Sequence, residues 1–333
     1  MSTHEIPVIR IRKEPHPNAD TLSIVRVFGY TVCVRSADWQ DGDLAAYIPP
    51  DYTVPTDRPE FEFLIIQDKP RARERIKVKK LRGIFSQGLL VKSPEGMAEG
   101  QNALEALGVE RYEPPVNFHR GETGPGPSGV IAPKYDVENW YRYKHLFRPD
   151  ELVVATEKIH GASARYVYAS DKTGTLRMFV GSHGEWKMET GNTIWHRALE
   201  VTPAIKSFCE ANPGHVLYGE VYGQVQDLKY GCKPGEVRFA GFDVRTPDGT
   251  WVSPELAMNA AGIIHGMPWV QVVYKGPYSE VDIEKLSNGK SLIVGADHIR
   301  EGVVIQPIEN RFESELNSRL KLKIVSNAYL ERA

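Results

Sequence analysis

Lys158 stands in the run Ala155-Thr156-Glu157-Lys158-Ile159-His160-Gly161-Ala162-Ser163, at a glycine-containing turn between two apolar, β-branched stretches that read as strands. A lysine held in such a turn becomes a nucleophile when desolvation and nearby cations lower its pKa from about 10.4. Later segments each carry a chemical group: Glu220 in Val216–Gly223, Phe242 in Val237–Val244, Glu301 ahead of Gly302–Ile305, and Lys321 with Lys323 in Arg319–Ile324. One amine, two separated carboxylates, an aromatic ring and a pair of cations are the inventory of nucleotidyl transfer. The amine attacks an α-phosphate, cations and a metal offset charge, a carboxylate fixes the sugar and the ring holds the base. Taken singly, each has a plainer reading. A lysine beside a glycine is ordinary surface chemistry, Glu220 a surface carboxylate, Phe242 a core residue, and Lys321 and Lys323 a solvated strand face.

The elements that must position these groups form an α+β pattern. Val216–Gly223, Val237–Val244, Glu301–Ile305 and Arg319–Ile324 read as strands, and Phe179–Gly184 as a strand end and turn. Thr202-Pro203 and Ser253-Pro254 each place a hydroxyl before a first-turn proline, so helices are expected to begin there. A length of 333 residues accommodates two domains, and 41% hydrophobic with 25% charged residues describes an ordinary globular chain. With a formal net charge of −2, nucleic-acid affinity must come from local basic surface. Cys33, Cys209 and Cys232 form no close pair, which argues against a zinc site or disulfide framework and fits a reducing, cytoplasmic setting. No signal-peptide pattern precedes the first strand. The longest uncharged run, Leu256–Tyr274, is broken by Gly262, Gly266 and Pro268, so no membrane segment is expected.

Residues 6 to about 95 read as short strands of a small β-barrel. From Arg71 to Lys79 the odd positions are Arg71, Arg73, Arg75, Lys77 and Lys79. A period of two would put these five cations on one strand face, either a guarded edge or, as favoured here, a surface that tracks phosphates, extended by Lys69, Lys80 and Arg82. Between residues 114 and 133, nine of twenty residues are Gly or Pro, which reads as a linker. The expected domains are therefore 1–113, a linker 114–133, and 134–333. The aromatic and charged run Lys134–Lys144 reads equally as a packing collar or an RNA contact.

Two phrases of the first domain, His16-Pro17-Asn18-Ala19-Asp20-Thr21-Leu22 and Lys80-Leu81-Arg82-Gly83-Ile84-Phe85-Ser86-Gln87-Gly88, resemble the OB-fold RNA-binding modules appended to some aminoacyl-tRNA synthetases. The resemblance implies a barrel with a groove for single-stranded or nicked nucleic acid. In the second domain, Lys-x-His-Gly (158–161) is followed in order by Ser-His-Gly, Tyr-Gly-Glu, Phe-Asp-Val, Glu-Gly-Val-Val and Lys-Leu-Lys. This series is similar to the ordered motifs of covalent nucleotidyltransferases, the ATP-dependent ligases and capping enzymes. His160, where DNA ligases and capping enzymes usually carry Asp, and Lys229-Tyr230-Gly231 after Tyr218–Gly223 resemble the nick-sealing RNA ligases. The OB-like part comes first, an order similar to the Deinococcus-type RNA ligases, with an amino-terminal OB domain and a transferase domain of antiparallel sheets and flanking helices.

Carried over by position, the resemblance implies that Lys158 forms a lysyl-AMP, Glu220 binds the ribose, Phe242 stacks on adenine and Glu301 helps hold a catalytic Mg2+ or Mn2+. Lys321 and Lys323 would contact the α-phosphate, and Glu157 would lie beside the base. His183 stands where related RNA ligases often have Arg and would contact sugar or phosphate. Ser163 replaces the Arg of DNA ligases, with Arg165 compensating at a different reach. No carboxy-terminal domain supplies a pyrophosphate-binding motif, so Arg142 and Lys144 are the candidates for that task. The implied substrates are ATP and an RNA break, in a nicked duplex or RNA/DNA hybrid, acted on by a monomer with no membrane partner. A capping-type guanylyltransferase and an RNA-binding protein with an inactive transferase domain are the competing readings.

Overall fold

The structure, a computed structural model, describes residues 5–50, 52–65, 71–112 and 119–332. Lys69 and residues 114–118 of the expected linker lie outside them. The chain divides into two compact units, Met1–Pro114 with Asn327–Ala333, and Pro115–Ser326.

The first unit is built from short strands: β1 (Val8–Arg10), β2 (Lys13–Pro15), β3 (Leu22–Val27), β4 (Tyr30–Arg35), β5 (Leu44–Ile48), β6 (Tyr52–Pro55), β7 (Arg73–Arg75), β8 (Val78–Leu81), β9 (Ile84–Gln87), β10 (Leu89–Lys92) and β11 (Glu110–Arg111). They pair as antiparallel sheets ordered β1-β5-β10, β2-β3-β4 and β11-β6-β7, with the hairpin β8-β9. Alternating apolar positions such as Val8, Ala46, Ile48, Val54 and Val91 meet Phe61 and Leu107 in one core. The two phrases singled out in this domain clasp each other. Asn18 N–H donates to His16 Nδ1 (3.1 Å), so the ring proton sits on Nε2, 3.3 Å from the Leu81 carbonyl, while Asn18 Nδ2 donates to the Arg82 carbonyl (3.0 Å). Arg82 and Gly83 turn the hairpin with φ of 47° and 92°, the left-handed pair that a two-residue turn demands.

The single basic strand is corrected. Arg73–Arg75 pairs with β6, whereas Val78–Leu81 pairs with β9 in a different sheet, and the strands are interrupted at Ile76 and Lys77. Ile76 and Val78 are both buried. Their burial on one side is what the alternation expects; the run is parted by its partners, since β6 takes Arg73–Arg75 and β9 takes Val78–Leu81.

The last helix, Asn327–Arg332, belongs to this first unit instead of closing the second, as the expected boundary 134–333 had it. Asn327 Oδ1 accepts from Gln87 Nε2 (2.9 Å), and Tyr329 is buried.

In the second unit, strands β12 (Glu138–Asn139), β13 (Leu152–Lys158), β18 (Val272–Pro277), β19 (Gly302–Pro307) and β22 (Leu322–Val325) form a sheet ordered β12-β22-β19-β13-β18. A second sheet is ordered β15-β14-β16-β17, from β14 (Ala162–Ser170), β15 (Leu176–Ser182), β16 (Val216–Gly223) and β17 (Val237–Arg245). Strands β20 (Phe312–Glu313) and β21 (Ser318–Arg319) make a small hairpin. Helices α1 (Trp140–Tyr143), α2 (Ile194–Val201), α3 (Pro203–Ala211), α4 (Pro254–Ala257) and α5 (Ile283–Ser287) complete it. Both proline-led helices start where expected.

One face of the β14–β17 sheet packs Tyr166, Leu217, Val221 and Phe239 against Ile194, Trp195, Ile205 and Phe208 of α2 and α3. The other face carries a smaller apolar cluster in which Val167 and Tyr218 meet Tyr135, Trp186, Phe242 and Trp251. From residue 119 the Gly/Pro stretch runs along this unit instead of hanging between domains. The N–H of Gly124 donates to the Trp186 carbonyl (2.9 Å) and that of Ser128 to the Ser170 carbonyl (2.8 Å). A Cβ on Gly126 would lie 2.6 Å from the Trp186 ring, so only glycine lets the chain approach so closely. The aromatic run that follows is mainly packing, with Trp140, Tyr141 and Tyr143 buried.

Candidate active site

Strand β13 delivers Lys158 at its end, and antiparallel pairing sets Lys158 opposite Gly302, immediately after Glu301. That register brings Lys158 Nζ to 2.7 Å from Glu301 Oε1. Gly161 then carries the chain into β14 of the other sheet. A Cβ there would fall 2.2 Å from the Val221 carbonyl and 3.0 Å from Glu220 Cγ, so the glycine is what permits β14 to lie against β16 at this turn. Ser163 pairs with Glu220, and the period of two puts Glu220 on the face shared with Tyr218, away from α2 and α3.

Between Lys158 and Gly161 sits His160, which contacts Asp227 Oδ1 through Nε2 (2.7 Å) and Glu301 Oε2 through Nδ1 (3.5 Å). Its backbone N–H donates to the Tyr230 hydroxyl (2.6 Å). Burial opposes the imidazolium, but Asp227 and Glu301 outweigh it and raise the pKa to about 9. Burial likewise works against the Glu301 carboxylate, yet Lys158 and His160 hold its pKa at about 2. Glu220 is pushed up to about 7 by burial, reinforced by Glu301 and opposed by Lys158, His160 and the Gly161 amide. The two carboxylates therefore differ: one is fixed as an anion, and the other exchanges a proton near neutral pH.

A second cluster forms around Asp243. Arg319 and the Tyr135 hydroxyl donate to its carboxylate, as does Lys321 Nζ at 2.9 Å. Burial penalises both charges. The cations hold Asp243 at about 2, whereas burial lowers Lys321 to about 8. Phe242 reaches the cluster through a β-bulge: pairing passes from Tyr218–Asp243 to Gly219–Gly241, which leaves Phe242 as the extra residue. Its ring packs 4.7 Å from that of Tyr135 and 5.8 Å from Lys321 Nζ. Lys323 pairs with Val304, which pairs with Thr156, so Lys323 and Lys158 share one face of the first sheet.

Other expected site residues are placed differently. The Glu157 carboxylate is buried and engaged by Ser291 Oγ and the Leu292 N–H, each at 2.6 Å, so it anchors the 291–293 loop. Arg165 stacks on Trp186 (4.5 Å) and donates to the Ala132 carbonyl (2.6 Å). His183 contacts Asp136 at 3.3 Å. In the first unit, Arg73 is bound by Thr53 and the Gly108 carbonyl, Arg71 approaches Glu74 (3.7 Å) and Arg75 lies 4.1 Å over the Tyr112 ring, while Lys77 and Lys79 are exposed. Asp227, Tyr230, Asp243, Arg319 and Tyr135 join the two clusters without having been assigned roles from the sequence. Their signals were position in or beside the motifs at Glu220, Lys229–Gly231, Phe242 and Lys321 and, for Tyr135, the aromatic run Lys134–Lys144.

Glu301 Oε2 is buried and makes no hydrogen bond; its approach to His160 is ionic only. Among the described residues, no three His, Cys, Asp or Glu side chains converge as a metal cage. Mg2+ and Mn2+ suit hard oxygen donors, and Mg2+ commonly takes one or two carboxylates plus waters and phosphates, so Glu301 with Glu220 fits such an ion.

Residues 151–323 match the RNA ligase family, and residues 6–93 match an OB-fold domain. Among solved structures, the fold is similar to a Naegleria gruberi RNA ligase variant with ATP and Mn (TM-score 0.80, 21% identity, 98% of each chain covered). It is also similar to Naegleria gruberi RNA ligase with pyrophosphate (TM-score 0.80, 20% identity, 99% of each chain). No curated protein sequence matches.

Proposed function

Because the chain belongs to the RNA ligase family, with an amino-terminal OB-fold domain, we propose that it is an ATP-dependent RNA ligase that seals 3′-hydroxyl/5′-phosphate breaks, chiefly nicks in duplexes, through a lysyl-AMP on Lys158. The observation that carries this reading is the convergence of Lys158, His160, Glu220 and Glu301 at one strand end, with the amine 2.7 Å from an ionised carboxylate. The similar ligase structures solved with ATP and Mn, and with pyrophosphate, support ATP as the nucleotide.

In the first step Lys158 Nζ attacks the α-phosphorus, an N–P bond forms, and the bond to the pyrophosphate leaving group breaks. The ammonium must first lose its proton. Glu301, ionised beside it, stabilises the charged form, so positive charge brought to the site promotes that loss. Glu301 and Glu220 would hold a Mg2+ or Mn2+ ion, which would supply positive charge to offset that of the phosphates. In the second step an oxygen of the RNA 5′-phosphate displaces Lys158 from AMP. In the third, the 3′-hydroxyl attacks that phosphate and AMP leaves. His160 supplies a fixed positive charge beside the lysine, Phe242 offers an aromatic face for adenine, and Lys321 and Lys323 add cations toward the α-phosphate. Among the exposed basic side chains of the OB domain, Lys77 and Lys79 suit the RNA backbone.

Incubation with ATP labelled at the α-phosphate should give a covalent adduct that is absent in Lys158→Ala. An unlabelled wild type would sink the ligase reading. Nicked duplexes with RNA or DNA on either side of the break then test strand choice, and an all-DNA nick sealed as fast as an RNA one contradicts it.

A further inference from the structure

A cavity of about 390 Å3 opens among His119, Asn192, Arg197, Gln224 and Lys229. Its size suits a nucleotide-scale ligand, but its wall does not suit an apolar one: Ile194 and Pro234 are its chief hydrophobic members, and no carboxylate lines it. The nearby acids are engaged elsewhere, Asp227 by His160 and Glu236 by Arg238. His119 Nδ1 accepts the Gly121 N–H, which leaves its ring proton on Nε2 as a donor. Arg197 is braced by the Gly235 carbonyl (3.0 Å) and Lys229 by the Gln226 carbonyl. These contacts are to neutral oxygens, and among the described residues neither side chain makes an ion pair with a carboxylate. The first turn of α2, with its positive partial charge, also opens here through Ile194.

The cavity is tied to the reacting lysine by chain connectivity. Asp227 holds His160, and Lys229 stands two residues on, next to Tyr230, whose hydroxyl accepts the His160 amide. We propose that this cavity seats a backbone phosphate of the RNA strand being joined, with Arg197 and Lys229 as the paired cations and Asn192 and His119 as neutral donors. The assignment rests on the ligase reading and adds to it a place where the strand is gripped. A phosphate offers diffuse negative charge and several acceptor oxygens, which match two braced cations better than a single ion pair would.

The test uses the full chain and a nicked duplex carrying RNA strands with a 5′-phosphate at the break. The double variant Arg197→Gln/Lys229→Gln should take label from ATP as the wild type does. It should bind the nicked RNA about tenfold more weakly at low salt and lower the salt slope of binding by about 1 to 2. Wild-type affinity and slope in the double variant overturn the phosphate site, and this binding readout holds whether or not the wild type forms an adduct. A wild type that binds RNA through the cavity but takes no label contradicts the ligase reading alone. Release of the AMP label by pyrophosphate separates the other source of phosphate. A double variant that binds RNA normally yet no longer returns its label assigns the cavity to the ATP tail and overturns the proposal. If the double variant does not fold, Lys229→Gln, at an exposed position, should lower the slope by about 1, and an unchanged slope refutes the site.

Discussion

Replacing Asp227 with Asn removes the shorter of the two contacts that keep His160 charged, 2.7 Å against 3.5 Å for Glu301. The imidazole lies at about 9 instead of 6.5, a difference of about 2.5 units, or about 3.4 kcal/mol between its protonation states. Asp227 is 47% exposed, so solvent screening leaves it about half of that figure, about 1.5 kcal/mol or one pKa unit. His160 in Asp227→Asn should then titrate near pH 8. At pH 6.5 both proteins carry the cation and should seal equally, whereas between pH 8.5 and 9 the variant should fall about threefold to fivefold behind. Folding raises this pKa, so the pairing stabilises the native state fully below pH 6.5 and loses that contribution as pH rises through about 9. The variant should therefore be about 1.5 kcal/mol less stable in mildly acidic buffer and equal to wild type in alkali. Two-dimensional NMR of the imidazole Cε1–H groups, assigned with His160→Gln, reads the titration. Single-turnover sealing of pre-adenylylated nicked RNA reads the profile. A His160 titration that does not move, or pH profiles that superimpose, would refute the assignment of Asp227 as its holder.

Three further outcomes are expected. Gly161→Ala forces a methyl against the Val221 carbonyl at 2.2 Å and should cost about 1–3 kcal/mol in denaturant titration while abolishing adduct formation; a stable, fully labelled variant contradicts this account of the turn. Asp243→Asn leaves Arg319 and Lys321 buried without their anion and should destabilise by about 3–5 kcal/mol. The depressed Asp243 pKa means that its contribution is present above pH 3.8 and lost as pH falls through about 2, so the gap between the two proteins should close in strong acid. In the OB domain, Arg73→Ala loses hydrogen bonds to Thr53 and Gly108 and should lower stability by about 2 kcal/mol, whereas Lys77→Ala/Lys79→Ala should leave the melting temperature unchanged and flatten the salt dependence of RNA binding; the reverse pattern would reverse their roles.

The sequence by itself determined the order of the chemistry and the elements that carry it. Strand periodicity around Lys158, Glu220 and Lys323 and the proline-led helices are local properties, legible because each depends on neighbours within a few residues, whereas the motif order from Lys158 to Lys323 was legible through its resemblance to a known family. The same local rule erred at Arg71–Lys79. There a period of two foresees the burial of Ile76 and Val78 but not that Arg73–Arg75 and Val78–Leu81 find their partners in two different sheets. Pairings across the chain were beyond it. Asp227 beside His160, Tyr135 and Arg319 on Asp243, Glu157 closed off by Ser291, and the last helix returned to the first unit all join residues far apart in the chain. Such contacts are chosen by which apolar faces must be covered and by which buried charges must find counter-ions, and those demands exist only once the sheets have packed. Lys158 is therefore singled out by the motif series it opens and not by its turn alone, while its carboxylate partner and the charge of its neighbouring histidine are set by the tertiary fold.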